Sequence, residues 1–339
     1  MTVLQRVPLS VLDLAIVSEG GTSATALADT TQLARQAETM GYTRFWVAEH
    51  HNMPTVASTN PSVLIAHLAA STEKIRIGSG GVMLPNYPSL VVAEQFAMLE
   101  ALHPGRIDLG IGRAPGTDPA TAAALRRAPM SLTVDEFPRY LLDLMGLLGD
   151  RRGNEGLWTR FAATPVAESK PEIVLLGSSG YSAQLAGQLG LPFAFAHHFD
   201  TGGTLQALAL YHQNFTPSVV LERPYAIVTA NVLTAPTTEE AHWLAASGQL
   251  MTYAIRSGRF IPLLPPERAA QHPDLPMARQ MPSNRIVGTP DEVVAALEEL
   301  IEVTIANEIM IFTAAYGLDQ RIRSLQLLAE AWQPVRVAA

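Results

Sequence analysis

Short apolar runs alternate along the chain with longer segments in which apolar residues recur every three or four positions. The short runs are typical of strands buried on both faces, and the longer segments are typical of amphipathic helices. The predicted strands are residues 9–17, 44–51, 74–84, 106–112, 172–176, 192–196, 225–233 and 308–314. The predicted helices include residues 24–40, 61–70, 89–102, 204–214 and 318–332, and segments that end at residues 148 and 189.

Eight predicted strands that alternate with helices indicate an α/β protein with a single (β/α)8 TIM barrel, formed as one domain by residues 1–339. A doubly wound parallel sheet is the structural alternative, because the same alternation produces both folds. Thr237 with Glu240, and Thr289 with Glu292, have the spacing of a capping box, so each threonine marks the start of a further helix.

The segment between those two helices, residues 258–286, contains six prolines. Because proline lacks an N–H and disrupts helices and strands, we predict an inserted loop after strand seven that has no regular structure. Long loops in compact barrels are often functional, so we expect this insertion to be a mobile lid over the barrel mouth. Arg259, Arg268, Arg279 and Arg285 give it cations for an anionic ligand. A surface segment that packs against the barrel or a second subunit is the alternative.

Composition narrows the choice of partners and location. Hydrophobic residues make up 48% of the chain and charged residues only 16%, which predicts a large core. The net charge of -8 disfavours nucleic acid and anionic membranes as main partners, since both require a basic surface. The chain has no Cys, and no apolar run approaches the ~18 residues of a membrane span. We therefore expect a cytoplasmic protein without membrane association.

The second predicted strand ends in three adjacent ionisable residues, Glu49, His50 and His51. Ligand sites of barrels and open sheets lie at the carboxyl ends of their strands. His50 is therefore a candidate general base or hydrogen-bond donor, and a purely structural histidine is the equal alternative. Consecutive strand residues point to opposite faces, so His50 and His51 are not expected to share a metal ion.

Arg113 follows the fourth predicted strand, and a Gly-Ser-Ser-Gly-Tyr-Ser sequence, residues 177–182, follows the fifth. Taken singly, these are compatible with a surface arginine and a plain turn. Strands four and five are neighbours in a barrel, however, so Arg113 and this serine loop should converge on a phosphate, with a helix dipole behind the loop. Residues 110–116 resemble a dinucleotide fingerprint, but the third glycine is displaced and Pro115 interrupts the helix, so we do not expect nicotinamide binding there.

Four motifs resemble the bacterial luciferase-like monooxygenase family, in the same order and spacing over nearly the whole chain. They are residues 49–51 (EHH), 78–85 (GSGGVMLP), 104–113 (PGRIDLGIGR) and 190–192 (GLP). The resemblance implies a flavin-dependent (β/α) barrel that is usually dimeric and has a mobile segment after strand seven, where this chain has residues 258–286.

The resemblance also implies roles for individual residues. His50 matches a histidine implicated in catalysis as a base near the flavin, and it is the predicted catalytic residue. Gly80 and Gly81 match a pair joined by a cis peptide bond against the flavin ring. The predicted cofactor-binding residues are Gly80, Gly81, Arg113, Ser178, Ser179, Ser182 and His197. Ser178 stands where the family has an acidic residue, and Gly112 stands where luciferase has a reactive cysteine.

The activity implied by the resemblance is oxidation of a small organic substrate by dioxygen with reduced FMN, which a separate flavin reductase would supply. A homodimer is implied as well. Two alternatives remain open: a dehydrogenase or reductase that depends on the deazaflavin F420 and uses no oxygen, and a non-catalytic flavin-binding protein.

Overall fold

The computed structural model describes residues 2–4, 6–126, 136–199, 202–333 and 335–337. In this part of the chain the strands are β1 (Thr2–Leu4), β2 (Leu9–Asp13), β3 (Arg44–Val47), β4 (Arg76–Met83), β5 (Ile107–Gly112), β6 (Glu172–Gly177), β7 (Phe193–Phe195), β8 (Ala226–Thr234), β9 (Arg285–Gly288), β10 (Glu308–Phe312) and β11 (Val335–Val337). The α-helices are α1 (Ser23–Thr39), α2 (Pro61–Ala70), α3 (Ser89–Leu102), α4 (Pro119–Arg126), α5 (Phe137–Leu147), α6 (Gly180–Leu189), α7 (Thr204–Asn214), α8 (Thr238–Arg256), α9 (Pro266–Ala270), α10 (Leu275–Gln280), α11 (Pro290–Thr304) and α12 (Leu318–Ala331). The helical segment predicted to end at residue 148 corresponds to α4 and α5, and its residues 127–135 lie outside the described residues. No helix within the described ranges is both long and apolar enough to cross a membrane.

Eight parallel strands, β2 to β8 and β10, form a closed barrel within the described residues. The closing strand is β10, which pairs with β2 on one side and with β8 on the other. Its residue Ile309 lies opposite Leu9 of β2 and opposite Val228 of β8. The predicted TIM barrel is therefore confirmed, and the doubly wound sheet is excluded, because an open sheet would leave two of these strands at its edges.

Strand β3 shows how the barrel divides its two faces. Phe45 and Val47 are buried in the core between the strands and the surrounding helices, whereas Trp46 between them belongs to the apolar cluster inside the barrel. Successive strand residues point to opposite faces, and here both faces are covered. This explains why β3 is a continuous apolar run in the sequence.

The insertion follows β8, the seventh barrel strand, and α8, but it does contain regular structure. It includes α9, α10 and the start of β9, which pairs with the carboxyl half of β8. Pro266 and Pro276 lie in the first turns of α9 and α10. In a first turn the backbone N–H has no partner within the helix, so proline is tolerated there. The prediction of an irregular loop was wrong because the prolines were counted without regard to their position.

The insertion packs on α8 through an apolar cluster of its own. The buried members of this cluster are Ala246, Leu250, Leu264, Ala269, Leu275 and Ala278. Two of them come from α8 and the others from the insertion, so the two short helices are held against the barrel by burial of apolar surface.

The amino ends of the barrel strands carry a buried network of charges. Arg44, the first residue of β3, lies 3.1 Å from Asp108, 3.0 Å from Glu172 and 3.2 Å from Glu308. Arg76, the first residue of β4, lies 2.6 Å from Asp108. The sequence signal for this amino-end network was a charged residue at the start of several apolar runs, which the sequence analysis did not use.

Candidate active site

Glu49 is a central polar group just beyond the carboxyl end of β3. Its carboxylate is fully buried and accepts hydrogen bonds from the Met83 backbone N–H (3.0 Å), Asn86 Nδ2 (3.0 Å) and the Tyr87 hydroxyl (3.1 Å). His51 Nε2 lies 2.8 Å from Glu49 Oε1. Burial, with the adjacent carboxylate, raises the pKa of Tyr87 above its usual range, so the phenol remains a donor. Glu49 thus joins the segments that follow β3 and β4, a role that the sequence analysis did not assign to it.

His50 makes contacts different from those of His51. Its backbone N–H donates to the Ser58 carbonyl (3.1 Å), and its ring is hydrogen-bonded to the backbone of Gly116, in the loop after β5. Burial lowers the pKa of His50, and the opposing effects of Gly116 and Glu49 do not offset it. The imidazole is therefore neutral at neutral pH, which is the form that accepts a proton.

The Gly80–Gly81 peptide bond is cis, as the resemblance implies. The pairing of β4 with β5 changes register across the pair, so the strand is bulged or irregular at this point. A Cβ at position 81 would lie 2.2 Å from Leu176 Cδ1 and 2.8 Å from the Gly110 carbonyl oxygen. The barrel's own atoms therefore require glycine at position 81, and the approach of a flavin ring to the pair stays a prediction.

Arg113 and the serine loop converge, as their positions on neighbouring strands predict. The guanidinium carbon of Arg113 lies 4.1 Å from the ring centroid of Tyr181, in the first turn of α6. Ser179 is the N-cap residue of α6, but its side chain makes no capping hydrogen bond to any described residue. Ser178 and Ser179 are exposed, and Ser182 is buried. A guanidinium, two exposed hydroxyls and an uncapped helix N-terminus thus lie together, and this combination suits an oxyanion.

The 3₁₀ helix His197–Phe199 places two histidines just after β7. His197 Nδ1 lies 2.7 Å from the Thr204 hydroxyl, and the His197 carbonyl accepts a hydrogen bond from Asn284 of the insertion (3.2 Å). His197 therefore lies where the end of β7 meets the insertion, and a direct contact with a flavin ring stays a prediction.

His198 is the residue at this end that the sequence analysis left without a role. Its ring packs on Phe312 at the end of β10, with centroids 5.5 Å apart, and its buried Nδ1 has no hydrogen-bond partner among the described residues. Burial lowers the pKa of His198 to about 3, and positive charge on His197, His50 or Arg285 acts in the same direction. His198 thus lies within electrostatic range of His50 and lines the same cavity as Arg285. The only signal in the sequence was the histidine doublet at a strand end.

The insertion reaches the loop after β2 through Leu263. The Glu19 N–H donates to the Leu263 carbonyl (2.9 Å), and the Leu263 N–H donates to the Val17 carbonyl (3.3 Å). The Leu263 side chain belongs to the apolar cluster inside the barrel, with Leu12 and Ile16. The insertion therefore covers part of the carboxyl end of the barrel.

The four arginines of the insertion, which were expected to contact an anionic ligand, form two groups of two. Arg259 lies 2.8 Å from Asp274 and Arg268 lies 2.5 Å from Glu19, so these two cations are already neutralised by partners. For them the expectation is corrected. Arg279 and Arg285 have no carboxylate within 4.0 Å in the part of the chain that the structure describes.

The chain is similar to proteins of one family along nearly its whole length. Residues 7–307 match the sequence profile of the family described as luciferase-like monooxygenase. A luciferase-like monooxygenase of Escherichia coli (strain K12) is 44% identical over 327 residues, which are 95% of this chain and 96% of that protein. The N-acetyl-S-alkylcysteine monooxygenase of Bacillus subtilis (strain 168) is 36% identical over 332 residues, which are 95% of this chain and 97% of that protein.

A solved structure agrees with this assignment. The crystal structure of apo-MsnO8 has a TM-score of 0.90 and 37% sequence identity, and the match covers 98% of this chain and 99% of that one. The chain therefore belongs to the luciferase-like monooxygenase family, as the sequence motifs predicted. It is accordingly an enzyme of the monooxygenase type.

Proposed function

We propose that the protein uses reduced FMN and dioxygen to oxidise a small organic substrate. In the balanced reaction one oxygen atom enters the substrate and the other leaves as water, while bound reduced FMN supplies the electrons. The observation that carries this proposal is the convergence of Arg113 with the serine loop at the carboxyl end of the barrel. An oxyanion site at that end of a barrel fits the phosphate of FMN.

At the phosphate end, each residue has a separate task in this proposal. Arg113 supplies a fixed cation and a planar pair of donors. The hydroxyls of Ser178 and Ser179 and the first-turn amides of α6 add hydrogen bonds. Ser182 would complete the site from its buried side. A Cβ at position 177 would lie only 2.6 Å from the Ser182 Cβ, so glycine at position 177 allows the loop to pack closely on Ser182.

At the reacting end, Gly80, Gly81 and His197 would hold the flavin ring, and His50 would accept and return a proton as a neutral imidazole. The four partners of Glu49 fix the segment that carries His50, so the ring is positioned before any ligand binds. Leu263 and the barrel interior around it would exclude water from this region.

A separate flavin reductase is the partner that this proposal needs, because the glycine spacing of residues 110–116 does not match a nicotinamide-binding fingerprint. The N-acetyl-S-alkylcysteine monooxygenase that is similar to this chain makes thioethers the first substrates to test. A cytoplasmic location is part of the proposal and is consistent with a chain that has no Cys.

Two measurements test the proposal: identification of the bound cofactor and measurement of oxygen consumption. The absorption spectrum and mass of the molecule released from the purified protein should identify FMN, and the protein with reduced FMN and a thioether should consume dioxygen and yield an oxygenated product. Oxidation of reduced F420 without oxygen uptake would instead show a dehydrogenase or reductase. Bound FMN that no reductant turns over would show a binding protein.

A homodimer is also proposed, and the neighbouring helices α2 and α3 support it. Four large apolar side chains on these helices are exposed: Val63 (66%), Val91 (41%), Met98 (53%) and Leu102 (62%). A second copy of this chain would bury them, as apolar patches on a soluble protein generally require a partner. Sedimentation equilibrium should give twice the 36.5 kDa mass of the chain, and Met98→Glu should shift the mass toward one chain.

We further propose that residues 258–286 are a lid that moves. Its attachment to the loop after β2 consists of two backbone hydrogen bonds at Leu263, the buried Leu263 side chain and the Arg268–Glu19 ion pair. An exposed ion pair contributes only about 0–1 kcal/mol, and Leu263 is a single buried side chain. The packing of the insertion on α8 is larger, because it buries four side chains of the insertion. A segment held in this way can open at one side while it stays anchored at the other.

A further inference from the structure

A small cavity lies between α8, α10 and the first residue of β9. Its volume is about 50 Å³, which is room for one small polar group rather than for a whole substrate. Part of its wall consists of three arginines, Arg256, Arg279 and Arg285, and another part of His198 and Gln249.

The arginines of this cavity have no opposite charge beside them. None of the three lies within 4.0 Å of a carboxylate in the described ranges of the chain. Arg285 donates to the Gly248 carbonyl (2.7 Å) and to the Thr252 hydroxyl (2.5 Å), which are neutral partners. Burial, together with the charge of Arg256, lowers the pKa of Arg285 to about 10, so it remains a cation at neutral pH. Arg285 is partly buried, and a partly buried cation without a counter-charge is unfavourable, so an anion in the cavity would offset that cost.

The cavity also presents hydrogen-bond acceptors. His198 Nδ1 and Gln249 Oε1 are buried, and neither has a hydrogen-bond partner among the described residues. Because the His198 ring is neutral at neutral pH and is hydrogen-bonded to the backbone of Thr229, its Nδ1 carries a free lone pair. Buried polar atoms are nearly always paired in folded proteins, so a ligand that brings a donor suits these two atoms.

We propose that this cavity binds the carboxylate of the substrate, and that the substrate is a small carboxylic acid with an N–H or O–H group beside its carboxylate. The inference rests on the proposed function, because it names the substrate class for the same barrel mouth. The guanidinium groups pair with the carboxylate, and the two acceptors receive the neighbouring N–H or O–H. His198 lies within electrostatic range of His50 and lines the same cavity as Arg285, so the rest of the substrate extends past His198 toward His50.

The phosphate of FMN is the other oxyanion that this enzyme would bind. A substrate carboxylate and the FMN phosphate can be distinguished as occupants of the cavity. Arg113 and the serine loop already offer a phosphate site with a helix N-terminus, which the cavity lacks. The cavity is therefore assigned to the substrate, and the comparison of FMN with riboflavin in its variants tests this assignment.

The test is a calorimetric titration of the full-length protein, with and without FMN, using three probes. N-acetyl-L-methionine has both a carboxylate and an N–H, hexanoate has only the carboxylate, and N-acetyl-L-methionine methyl ester has only the N–H. We expect affinity to fall from the first probe to the second and to be lost with the ester. Equal affinity for the ester and the acid would overturn the proposal, because the arginines would then have no part in binding.

Variants of the two exposed arginines, Arg256 and Arg279, test carboxylate binding without changing Arg285. Arg279→Gln and Arg256→Gln should each lower the affinity for N-acetyl-L-methionine by roughly tenfold or more, the usual effect of losing a hydrogen bond to a charged group. The matched control is Arg259→Gln, an exposed arginine of the same insertion that is paired with Asp274 outside the cavity, and its affinity should equal that of the parent. Arg285→Lys keeps the positive charge but lacks the planar pair of donors of a guanidinium, and it should also weaken binding.

Two results would reject the assignment. Unchanged probe affinity in Arg279→Gln and Arg256→Gln would place the carboxylate elsewhere, and a loss of FMN affinity relative to riboflavin in these variants would make the cavity a phosphate site. The titration needs no flavin, so its failure differs from failure of the proposed function. Oxygen uptake with reduced FMN and no carboxylate binding would refute only the cavity, and carboxylate binding without oxygen uptake would refute only the proposed function.

Discussion

The arginine cluster at the amino end of the barrel and Arg285 at the carboxyl end differ in their partners. At the amino end, Arg44 and Arg76 lie between 2.6 and 3.2 Å from the carboxylates of Asp108 and Glu308. At the carboxyl end, among the described residues, Arg285 has no carboxylate within 4.0 Å and His198 Nδ1 has no hydrogen-bond partner. In barrels the amino end serves stability and the carboxyl end serves ligands. The difference teaches that the carboxyl end keeps a cation and an acceptor whose partners a ligand could supply.

The largest expected effect comes from breaking the amino-end network. Arg44→Met removes the cation that lies near Asp108, Glu172 and Glu308 and leaves carboxylates buried without it. Removing one partner from a buried ion pair typically costs about 3–5 kcal/mol. The free energy of unfolding, measured in urea, should fall by about that much. FMN affinity of the folded variant should not change, because the network lies at the opposite end from the mouth.

The control for this variant is Arg139→Gln, which removes an exposed arginine 2.7 Å from Glu136. Exposed pairs contribute little, so its unfolding free energy should change by less than about 0.5 kcal/mol. If Arg44→Met were as stable as Arg139→Gln, the amino-end network would have no stabilising role, and the contrast between the two ends would fail.

The next effect is on the carboxyl end, through Arg113. Arg113→Ala should make the binding free energy of FMN less favourable by about 2–5 kcal/mol, the range for losing a charge-assisted contact to an anion. Riboflavin, which lacks the phosphate, should bind parent and variant equally, and stability should hardly change. The matched control is Arg160→Ala, which removes an exposed arginine whose guanidinium lies 5.9 Å from the Phe161 ring. Fluorescence titration with both flavins measures this, and FMN affinity equal to that of the parent would place the phosphate elsewhere.

The barrel was predictable from the sequence because most of its strands are covered on both faces and are therefore rich in apolar residues, as β3 is. The prediction missed β9, which spans only Arg285–Gly288, contains a charged residue and a glycine, and depends on the carboxyl half of β8 for its pairing. It missed the two insertion helices because the position of a proline within a helix, rather than the number of prolines, decides whether the helix forms.

The candidate site was predictable in the same unequal way. Arg113 and the serine loop converge because they follow neighbouring strands, which a sequence can reveal. The role of Glu49 depends on Asn86 and Tyr87, which come from another loop, and the role of His198 depends on the cavity that it lines together with Arg285. Both are properties of three-dimensional packing, and no local pattern in the sequence specifies them.

His50 gives the third expected effect and distinguishes a catalytic residue from a structural one at the carboxyl end. His50→Ala should keep FMN affinity and lower turnover by about 10²-fold, the usual contribution of a general base. Because burial lowers the pKa of His50, the basic form should persist below the ordinary histidine value, and the acid limb of the parent's pH profile should lie there. Oxygen uptake against pH measures both. The control is the exposed His242→Ala, and undiminished turnover at every pH would make His50 structural.

His198 should make stability depend on pH, which is a smaller effect. Its pKa is about 3 in the folded protein and about 6.5 in an unfolded chain. The unfolded chain therefore binds a proton that the folded protein does not, so the contribution is complete above about pH 6.5 and is lost as the pH falls toward the folded pKa. Between pH 7 and pH 5 this amounts to at most about 2 kcal/mol. His198→Gln should lose less stability over that interval than the parent in urea titrations, and His242→Gln should behave like the parent.

The smallest expected effect concerns the lid, and it tests whether the carboxyl end is mobile where the amino end is fixed. Glu19→Gln removes the exposed partner of Arg268, a pair that contributes at most about 1 kcal/mol, so opening of residues 258–286 should become up to about fivefold more frequent. Trypsin cuts after arginine, and Arg259, Arg268 and Arg279 are exposed within the insertion. Cleavage there should therefore be faster in Glu19→Gln than in the parent, and reduced FMN should slow it in both if closure accompanies binding.

The control is Glu302→Gln, which changes an exposed glutamate on α11 that is remote in sequence from both residues of the pair, and it should be cut at the parental rate. Equal cleavage of all three proteins, with and without reduced FMN, would mean that the insertion is a fixed part of the surface, and the phosphate site and the cavity at Arg285 would then be closed by packing rather than by motion.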